Sequence, residues 1–422
     1  MMIDANEYSI RRNKILDKLE NNSLLILFAG QARKKSGDSS FPFDINRNFY
    51  YLTGIEQENS VLVLVKCDGE ISEYLFIDEK NEKIEKWTGI KMTVEEAREI
   101  SGIETVLMRS TFEGKIEAAF SNNMSHFGEI DQVYLDLEKE LKIDECVSTV
   151  HYAEELKKKY QTKVIDVNQM ILKERMVKSP AEIDCIREAI ETTDLGIRNA
   201  LRVMKPGRYE YNLRNAFEYS IMEEYGTTLA FDTIIASGKN GVILHYPEAK
   251  DMLNDGELVM FDLGAAKSHY SADISRTYPI NGKFSDLQKK IYEIVLECNK
   301  ATINFIRPGI TLVELNDFAK NFLAEECFAK GLISSKEEIT RVYYHSVSHH
   351  LGLDTHDGTD RSSALVPGNV ITCEPGLYFA EYNIGIRIED DVLVTENGRE
   401  VLSKDVIKEV SDIEKLLRSR NE

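Results

Sequence analysis

Ile384-Gly-Ile-Arg387-Ile388-Glu389-Asp390-Asp391 alternates with a period of two. Successive side chains of a strand point to opposite faces, so Ile384, Ile386 and Ile388 share an apolar face and Arg387, Glu389 and Asp391 share the other. A core strand with a guanidinium and two carboxylates on its second face needs a polar or metal-filled layer against it. Just upstream, Val370-Ile-Thr-Cys-Glu374-Pro375-Gly376 reads as a strand ending at a turn, with Thr372 and Glu374 on one face and Ile371 and Cys373 on the other. Alone, Glu374 or Glu389 reads as an ordinary strand-end charge.

Three more segments carry the same chemistry. His345-Ser-Val-Ser-His349-His350-Leu-Gly352-Leu-Asp354-Thr-His356-Asp357-Gly358 holds four of the chain's eight histidines. Imidazole ligates divalent metals and shuttles protons near neutral pH; His350, pointing away from His349, is the one set aside as filler. In Glu257-Leu-Val-Met-Phe-Asp262-Leu-Gly264, Asp262 ends the apolar face of Leu258 and Met260. In Tyr270-Ser-Ala-Asp273-Ile-Ser-Arg276-Thr277, a hairpin turning near Lys267 and Ser268 would set Asp273 opposite Asp262. Two facing carboxylates repel, and a dication between them reverses that sign. For an isolated Asp273, pairing with Arg276 in a surface turn is the ordinary alternative. Together, four carboxylates and one imidazole supply enough oxygen and nitrogen donors for two cations such as Mn2+, Co2+ or Zn2+, and no thiolate set suggests structural zinc. Such a pair activates a water and polarises a carbonyl, the machinery of hydrolysis beside a free N-terminus. His245, in Gly241-Val-Ile-Leu-His245-Tyr246, and His356 are candidates to hydrogen-bond an oxyanion, although either alone reads as structural.

Outward from these segments, Ser179, Pro180 and Glu182 form a capping box with proline at the first helical position, followed by Ile183, Ile186 and Ile190 at helical spacing. Helices are expected near 211–225, 286–305 and 312–330, and an amphipathic one from Ser411. The intervening chain from 229 to about 402 reads mainly as strand. Before 167, short apolar runs at 24–28, 61–65, 74–77 and 133–137 read as strands and 94–101 as a helix, which is an α/β pattern with a mixed or parallel sheet. The strand-like 164–167 then gives way to polar residues, which puts a boundary near 172: an N-terminal domain over 1–172 and a larger α+β domain over 173–422.

The chain has 422 residues, 42% hydrophobic and 29% charged, with a net charge of −20. Two globular domains fit that length. With no basic block, nucleic acid is excluded as a partner. Six scattered cysteines without a C-x-x-C pair read as reduced and cytoplasmic. Neither a signal peptide nor a membrane-spanning apolar run is expected.

Asp262, Asp273, His349, Glu374 and Glu389, in that order and context, resemble the ligand set of the pita-bread metallopeptidases, which include methionine aminopeptidase, aminopeptidase P and prolidase. His345-x-x-x-His349-x-Leu-Gly-Leu-Asp-x-His356-Asp357, Glu374-Pro-Gly-Leu-Tyr378 and Gly385-Ile-Arg-Ile-Glu-Asp-Asp391 look like the proline-specific branch. Phe43-Asp-Ile-Asn-Arg-Asn-Phe-Tyr-Tyr-Leu-Thr-Gly54, Ser60-Val-Leu-Val-Leu64 and Trp87-Thr-Gly are similar to the N-terminal domain of aminopeptidase P, a domain that methionine aminopeptidase lacks.

The resemblance implies an α+β fold: a curved antiparallel sheet covered by helices, preceded by an α/β domain with a mixed sheet. It implies two divalent metals, Mn2+ foremost. Asp262 would hold one, His349 and Glu374 the other, and Asp273 and Glu389 both. Glu374 would handle the proton of a metal-bridging hydroxide that attacks the bond before a penultimate proline. His245 and His356 would contact substrate in the transition state, His345 and Arg387 would line the proline side, and Thr277 would orient a carboxylate. The partners implied are small peptides with proline second, and further copies of the chain as a homodimer or homotetramer. Phe49, Tyr50 and Tyr51 read as core rather than interface. A prolidase restricted to dipeptides is the runner-up. A metal-free creatinase-like hydrolase is disfavoured because none of the five ligands is replaced. A non-catalytic scaffold would bind no metal.

Overall fold

A computed structural model describes residues 3–121, 127–137, 149–224, 226–358 and 360–419, and the chain divides into two units, Met2–Glu174 and Arg175–Glu422. Cys146 and Tyr225 lie outside the described residues.

The first unit is built on a six-stranded mixed sheet in the order Thr105–Met108, Glu70–Ile77, Val61–Cys67, Ser23–Phe28, Gln132–Leu135, Lys163–Asp166. The two central strands pair antiparallel, Leu24 opposite Val65 and Phe28 opposite Val61, while Ser23–Phe28 runs parallel to Gln132–Leu135. Leu24, Ile26, Val61, Val63 and Phe76 pack with Phe112 and Tyr152 into one core. Phe49, Tyr50 and Tyr51 are buried, as the core reading had them, within the helix Arg47–Thr53. The helix Val94–Ser101 starts at the Thr93/Glu96 capping box. Asn168–Arg175, read from sequence as a polar connection, is a helix. Its apolar residues Met170, Ile171 and Leu172 are consecutive rather than at helical spacing, so no stripe revealed it.

Among the described residues of the second unit every strand pairing is antiparallel. Ile234–Ser237, Leu258–Leu263 and Ile274–Pro279 form one ladder, Val370–Cys373, Asp390–Thr395 and Gly398–Val401 a second, and Gly376–Phe379 with Ile384–Arg387 a third. A fourth joins Thr227–Leu229, Ala265–Lys267 and Tyr270–Ser271. Four longer helices, Pro180–Val203, Glu210–Glu223, Asp286–Phe305 and Leu312–Ala329, accompany these ladders. Pro180–Val203 packs on Ala265–Lys267, and Asp286–Phe305 packs on Ile384–Arg387. Capping boxes start three of the four through a serine or threonine: Ser179 with Glu182, Ser285 with Gln288, and Thr311 with Glu314. Residues 343–358 and 360–369 are irregular rather than strand, so the histidines among them sit on loops. No helix among the described residues is long and apolar enough to cross a membrane.

Candidate metal centre

The ladder register brings the acidic side chains together. Asp262 pairs across with Ser275, not with Asp273 as a simple hairpin predicts. The turn at Ser268 and His269 is followed by a break at 272–273, which leaves Asp273 just outside the ladder that begins at Ile274. The two carboxyls still interact: burial first, and then Asp273 against the pull of Arg387, raise the Asp262 carboxyl. Arg276 does not pair with Asp273 in a surface turn. It is fully buried and bonds the Asp390 carboxylate at 2.8 Å. Inside a core, a guanidinium needs a carboxylate of its own.

Asp273, His349 and Glu389 offer ligand atoms that all lie within 4.8 Å of one another. His349 Nε2 stands 3.4 Å from Asp273 Oδ2 and 3.5 Å from Glu374 Oε1. Its Nδ1 lies 3.0 Å from the His350 carbonyl, so Nδ1–H donates there and Nε2 is aimed at the acids. Arg387 Nη2 donates to Asp262, and its Nε donates to Ser275 Oγ at 2.7 Å. That hydroxyl in turn donates to Glu389 Oε2 at 2.7 Å. Asp391 Oδ2 accepts from the Asp273 amide at 3.1 Å, and its other oxygen is buried with no partner.

The electrostatics have one sign. Burial, then the neighbouring acids Asp273, Glu374 and Asp262, hold the Glu389 carboxyl well above its ordinary range. Burial does the same to Glu374, against the pull of His349 and Arg387, and to Asp391, with Asp273 adding to it. Burial would depress His349, but Asp273 and Glu374 outweigh it and push the imidazole up to about 9. Five carboxylates thus converge against one guanidinium and one imidazole. This is a negative excess that divalent cations would neutralise, and the donor set of oxygens with one imidazole nitrogen fits them.

The other histidines separate. His345 falls to about 3 through burial and then the nearby Arg387, so it is neutral near pH 7. Its Nδ1 lies 2.8 Å from the Ser346 carbonyl, which makes Nδ1–H the donor and leaves Nε2 to accept from the Tyr378 hydroxyl at 2.8 Å. Its 3.6 Å approach to Glu374 is therefore no ion pair. His356 is exposed, with its ring centred 4.1 Å from that of His349. His245 is exposed too, and adds the smallest part to the lowering of His345 by burial and Arg387 and of His356 by burial and His349. His350 is buried apart, with Nδ1 unpartnered. Thr277 reaches no carboxylate. Its hydroxyl exchanges hydrogen bonds with the backbone of Arg387, and Ser275 is the hydroxyl that holds a carboxylate.

Sequence reasoning passed over Ser275 and Tyr378. Tyr378 receives Arg387 Nη1 at 3.1 Å and links it to His345. Register could have flagged both residues: Ser275 lies opposite Asp262, and Tyr378 lies opposite Gly385, where no side chain crowds the ring.

Residues 184–396 match the model of metallopeptidase family M24, and residues 8–126 match that of the aminopeptidase P N-terminal domain. The Xaa-Pro aminopeptidase of Haemophilus influenzae is 31% identical over 97% of each chain. A Bacillus anthracis structure described as an aminopeptidase P superposes with a TM-score of 0.95 at 42% identity, over 99% of each chain. Escherichia coli aminopeptidase P with the inhibitor Pro-Leu superposes at 0.90 with 31% identity, over the whole of both chains. The antiparallel ladders, their covering helices and the acid-lined centre are thus those of a pita-bread unit that follows a mixed-sheet domain along the sequence, and the chain belongs to metallopeptidase family M24 as a metal-dependent hydrolase.

Proposed function

We propose that this chain is an aminopeptidase that hydrolyses the bond between an N-terminal residue and a penultimate proline. The observation that carries it is the convergence of Asp262, Asp273, His349, Glu374 and Glu389 beside the His345–Tyr378–Arg387 chain of hydrogen bonds. Similarity along its whole length to Xaa-Pro aminopeptidases supports this reading over a dipeptide-only prolidase.

The five ligands would hold two divalent cations, Mn2+ in our reading: Asp262 one, His349 and Glu374 the other, Asp273 and Glu389 both. When bound, the cations neutralise the acids, acidify a water and polarise the scissile carbonyl. Glu374, at the edge of the cluster and partly exposed, takes and returns the proton of the attacking water at a carboxylate oxygen. His349 keeps its orientation because Nδ1–H is tied to the His350 carbonyl. His245 and His356, exposed beside the centre, donate to the substrate carbonyl as charge develops on its oxygen. Neutral His345, held by Tyr378, and Arg387 present a rigid wall to the proline ring. The domain division is placed at 172/173. Assembly as a homodimer or homotetramer completes the reading, with a cytoplasmic location supported by the free thiols of the five described cysteines.

The test is turnover of an Xaa-Pro-Yaa tripeptide, its Xaa-Ala-Yaa counterpart and an Xaa-Pro dipeptide, by chelated protein with and without Mn2+. Cleavage of the proline tripeptide that returns with Mn2+ is expected. Cleavage of the dipeptide alone, or turnover indifferent to chelation, would overturn the reading.

A further inference from the structure

Glu210, the first residue of the helix Glu210–Glu223, is a fully buried carboxylate whose hydrogen bonds are to backbone, hydroxyl and amide donors. Its Oε1 accepts from the Ser237 amide at 2.7 Å, the Ser237 hydroxyl at 2.8 Å and Asn240 Nδ2 at 3.0 Å. Its Oε2 accepts from the Asp251 amide at 2.9 Å, and its own amide donates to the Asp251 carbonyl at 3.0 Å. Ser237 and Asp251 are the two ends of the loop 238–250 that carries His245. The position at a helix N-terminus eases burial of the charge, but an isolated ionised carboxylate in a core still costs several kcal/mol before its hydrogen bonds offset it. An alanine or leucine at this place would avoid that cost, so the closure of the loop is what the carboxylate supplies.

The loop is seated in the middle as well. A Cβ on Gly385 would run into the Gly241 carbonyl, so the loop backbone lies directly on the strand that presents Arg387. The Tyr344 hydroxyl donates to the Val242 carbonyl at 2.5 Å. Leu244 and Tyr246, the neighbours of His245, pack with Met260 and Tyr378. These flank Asp262 on its strand and hold His345 respectively. The imidazole is exposed at the tip of a loop whose base is tied by the buried Glu210, with Asn240 Nδ2 also donating to Asp251 Oδ2 at 3.1 Å and Lys239 Nζ standing 3.5 Å from it.

We infer that Glu210 is a positioning residue for His245: by clamping residues 237 and 251 together it fixes where that imidazole stands relative to the metal centre, without touching substrate or metal. This rests on the role proposed above for His245. A loosened loop leaves the cations in place but misplaces a donor needed most in the transition state. Such a misplacement lowers kcat by about 10- to 100-fold while KM moves far less.

The experiment compares wild type, Glu210→Gln, His245→Ala and the double variant on an Xaa-Pro-Yaa tripeptide with Mn2+. It adds calorimetric Mn2+ titration and amide hydrogen exchange of residues 238–251. Glu210→Gln can keep its oxygen toward Ser237 and Asn240 only by turning its NH2 on the Asp251 amide, so it loses one end of the clamp; it should lower kcat, leave Mn2+ affinity unchanged and speed exchange in the loop. On the His245→Ala background it should have no further effect on kcat. Ser237→Ala, which removes one donor and leaves the carboxylate, should shift kcat and exchange in the same direction by less, and stands in if Glu210→Gln does not fold. Losses that multiply in the double variant would overturn the proposal. So would a parallel fall in Mn2+ affinity, or exchange identical to wild type. A wild type without turnover on any Xaa-Pro peptide sinks the functional reading instead, and the exchange measurement still decides the clamp.

Discussion

Arg387 donates from Nη2 to the Asp262 carboxylate, and through Ser275 its Nε holds Glu389 as well. One buried guanidinium therefore steadies two of the proposed ligands from opposite sides and partly offsets their charge. Without it the acids face one another with only an imidazole between them, and leaving a buried charge unpaired costs about 3–5 kcal/mol. Arg387→Ala should thus lower the melting temperature of the chelated protein. The rise on adding Mn2+ should exceed that of wild type, because cations then supply all of the neutralisation. Thermal scans in chelator and in Mn2+ check this. A smaller Mn2+-dependent rise than wild type's would contradict it.

Glu389 is buried among Asp273, Glu374 and Asp262, which oppose its charge. Asp273→Asn and Glu389→Gln each remove one like charge from that cluster at nearly constant volume. Turnover should fall by at least about 10³-fold, the scale of losing a group central to the chemistry. The chelated protein should melt at the wild-type temperature or above it, since repulsion is relieved. Calorimetry should show weakened Mn2+ binding. Near-normal turnover by either variant would remove these residues from the centre.

What the sequence disclosed was what is encoded locally. The period of two over 384–391 separates Ile386 and Ile388 from Arg387 and Glu389 without outside help, and Ser179 with Glu182 marks the start of Pro180–Val203 at its observed residue. The helix Asn168–Arg175 escaped because it lacks such a pattern. Arg276 was misplaced for a different reason. Besides the neighbouring Ser275 carbonyl, its partners are the carbonyls of Glu389, Val406 and Ile407 and the Asp390 carboxylate, all more than a hundred residues along the chain. No local spacing announces that contact, so an arginine three residues after an aspartate read as its surface partner. The same limit hid Ser275, whose hydroxyl matters only once the ladder has set it between Arg387 and Glu389.

Asp357, adjacent to His356, is buried with Arg175 Nη2 at 2.5 Å and Lys178 Nζ at 3.0 Å. Burial works against its charge, but Arg175 and then Lys178 outweigh it, so its carboxyl titrates below the ordinary range. A depressed folded-state value contributes stability that is complete above the unfolded value of about 3.9 and is lost as pH falls through the folded one. Asp357→Asn should cost about 3 kcal/mol near pH 7, since the buried Lys178 loses its carboxylate and the buried Arg175 loses one of its carboxylates while keeping Asp354. The gap between wild type and variant should narrow below about pH 4. Urea unfolding across pH measures it. A gap that stays constant into the acid range would mean the pair contributes no charge-dependent stability.

Behind the centre, the fully buried Asn299 of the helix Asp286–Phe305 donates through Nδ2 to the carbonyls of Cys373 at 3.1 Å and Ile388 at 3.3 Å. Those residues immediately precede Glu374 and Glu389, so one carboxamide ties together the two strand ends that present them. Its oxygen accepts from Lys408 Nζ at 2.8 Å, and the same ammonium holds Asp390 at 2.6 Å. Asn299→Asp keeps the shape and the bond from Lys408 but removes both donors, leaving two buried carbonyls facing a carboxylate. Each unsatisfied group costs about 1–3 kcal/mol, and the strand ends should move apart to relieve it. Mn2+ affinity should fall by about tenfold or more, the scale seen when a residue supporting metal ligands is lost. Far-ultraviolet circular dichroism should stay that of wild type. Calorimetric titration of the chelated variant measures the affinity. Wild-type affinity in a folded Asn299→Asp protein would show that the spacing of Glu374 and Glu389 is set by the ladders alone.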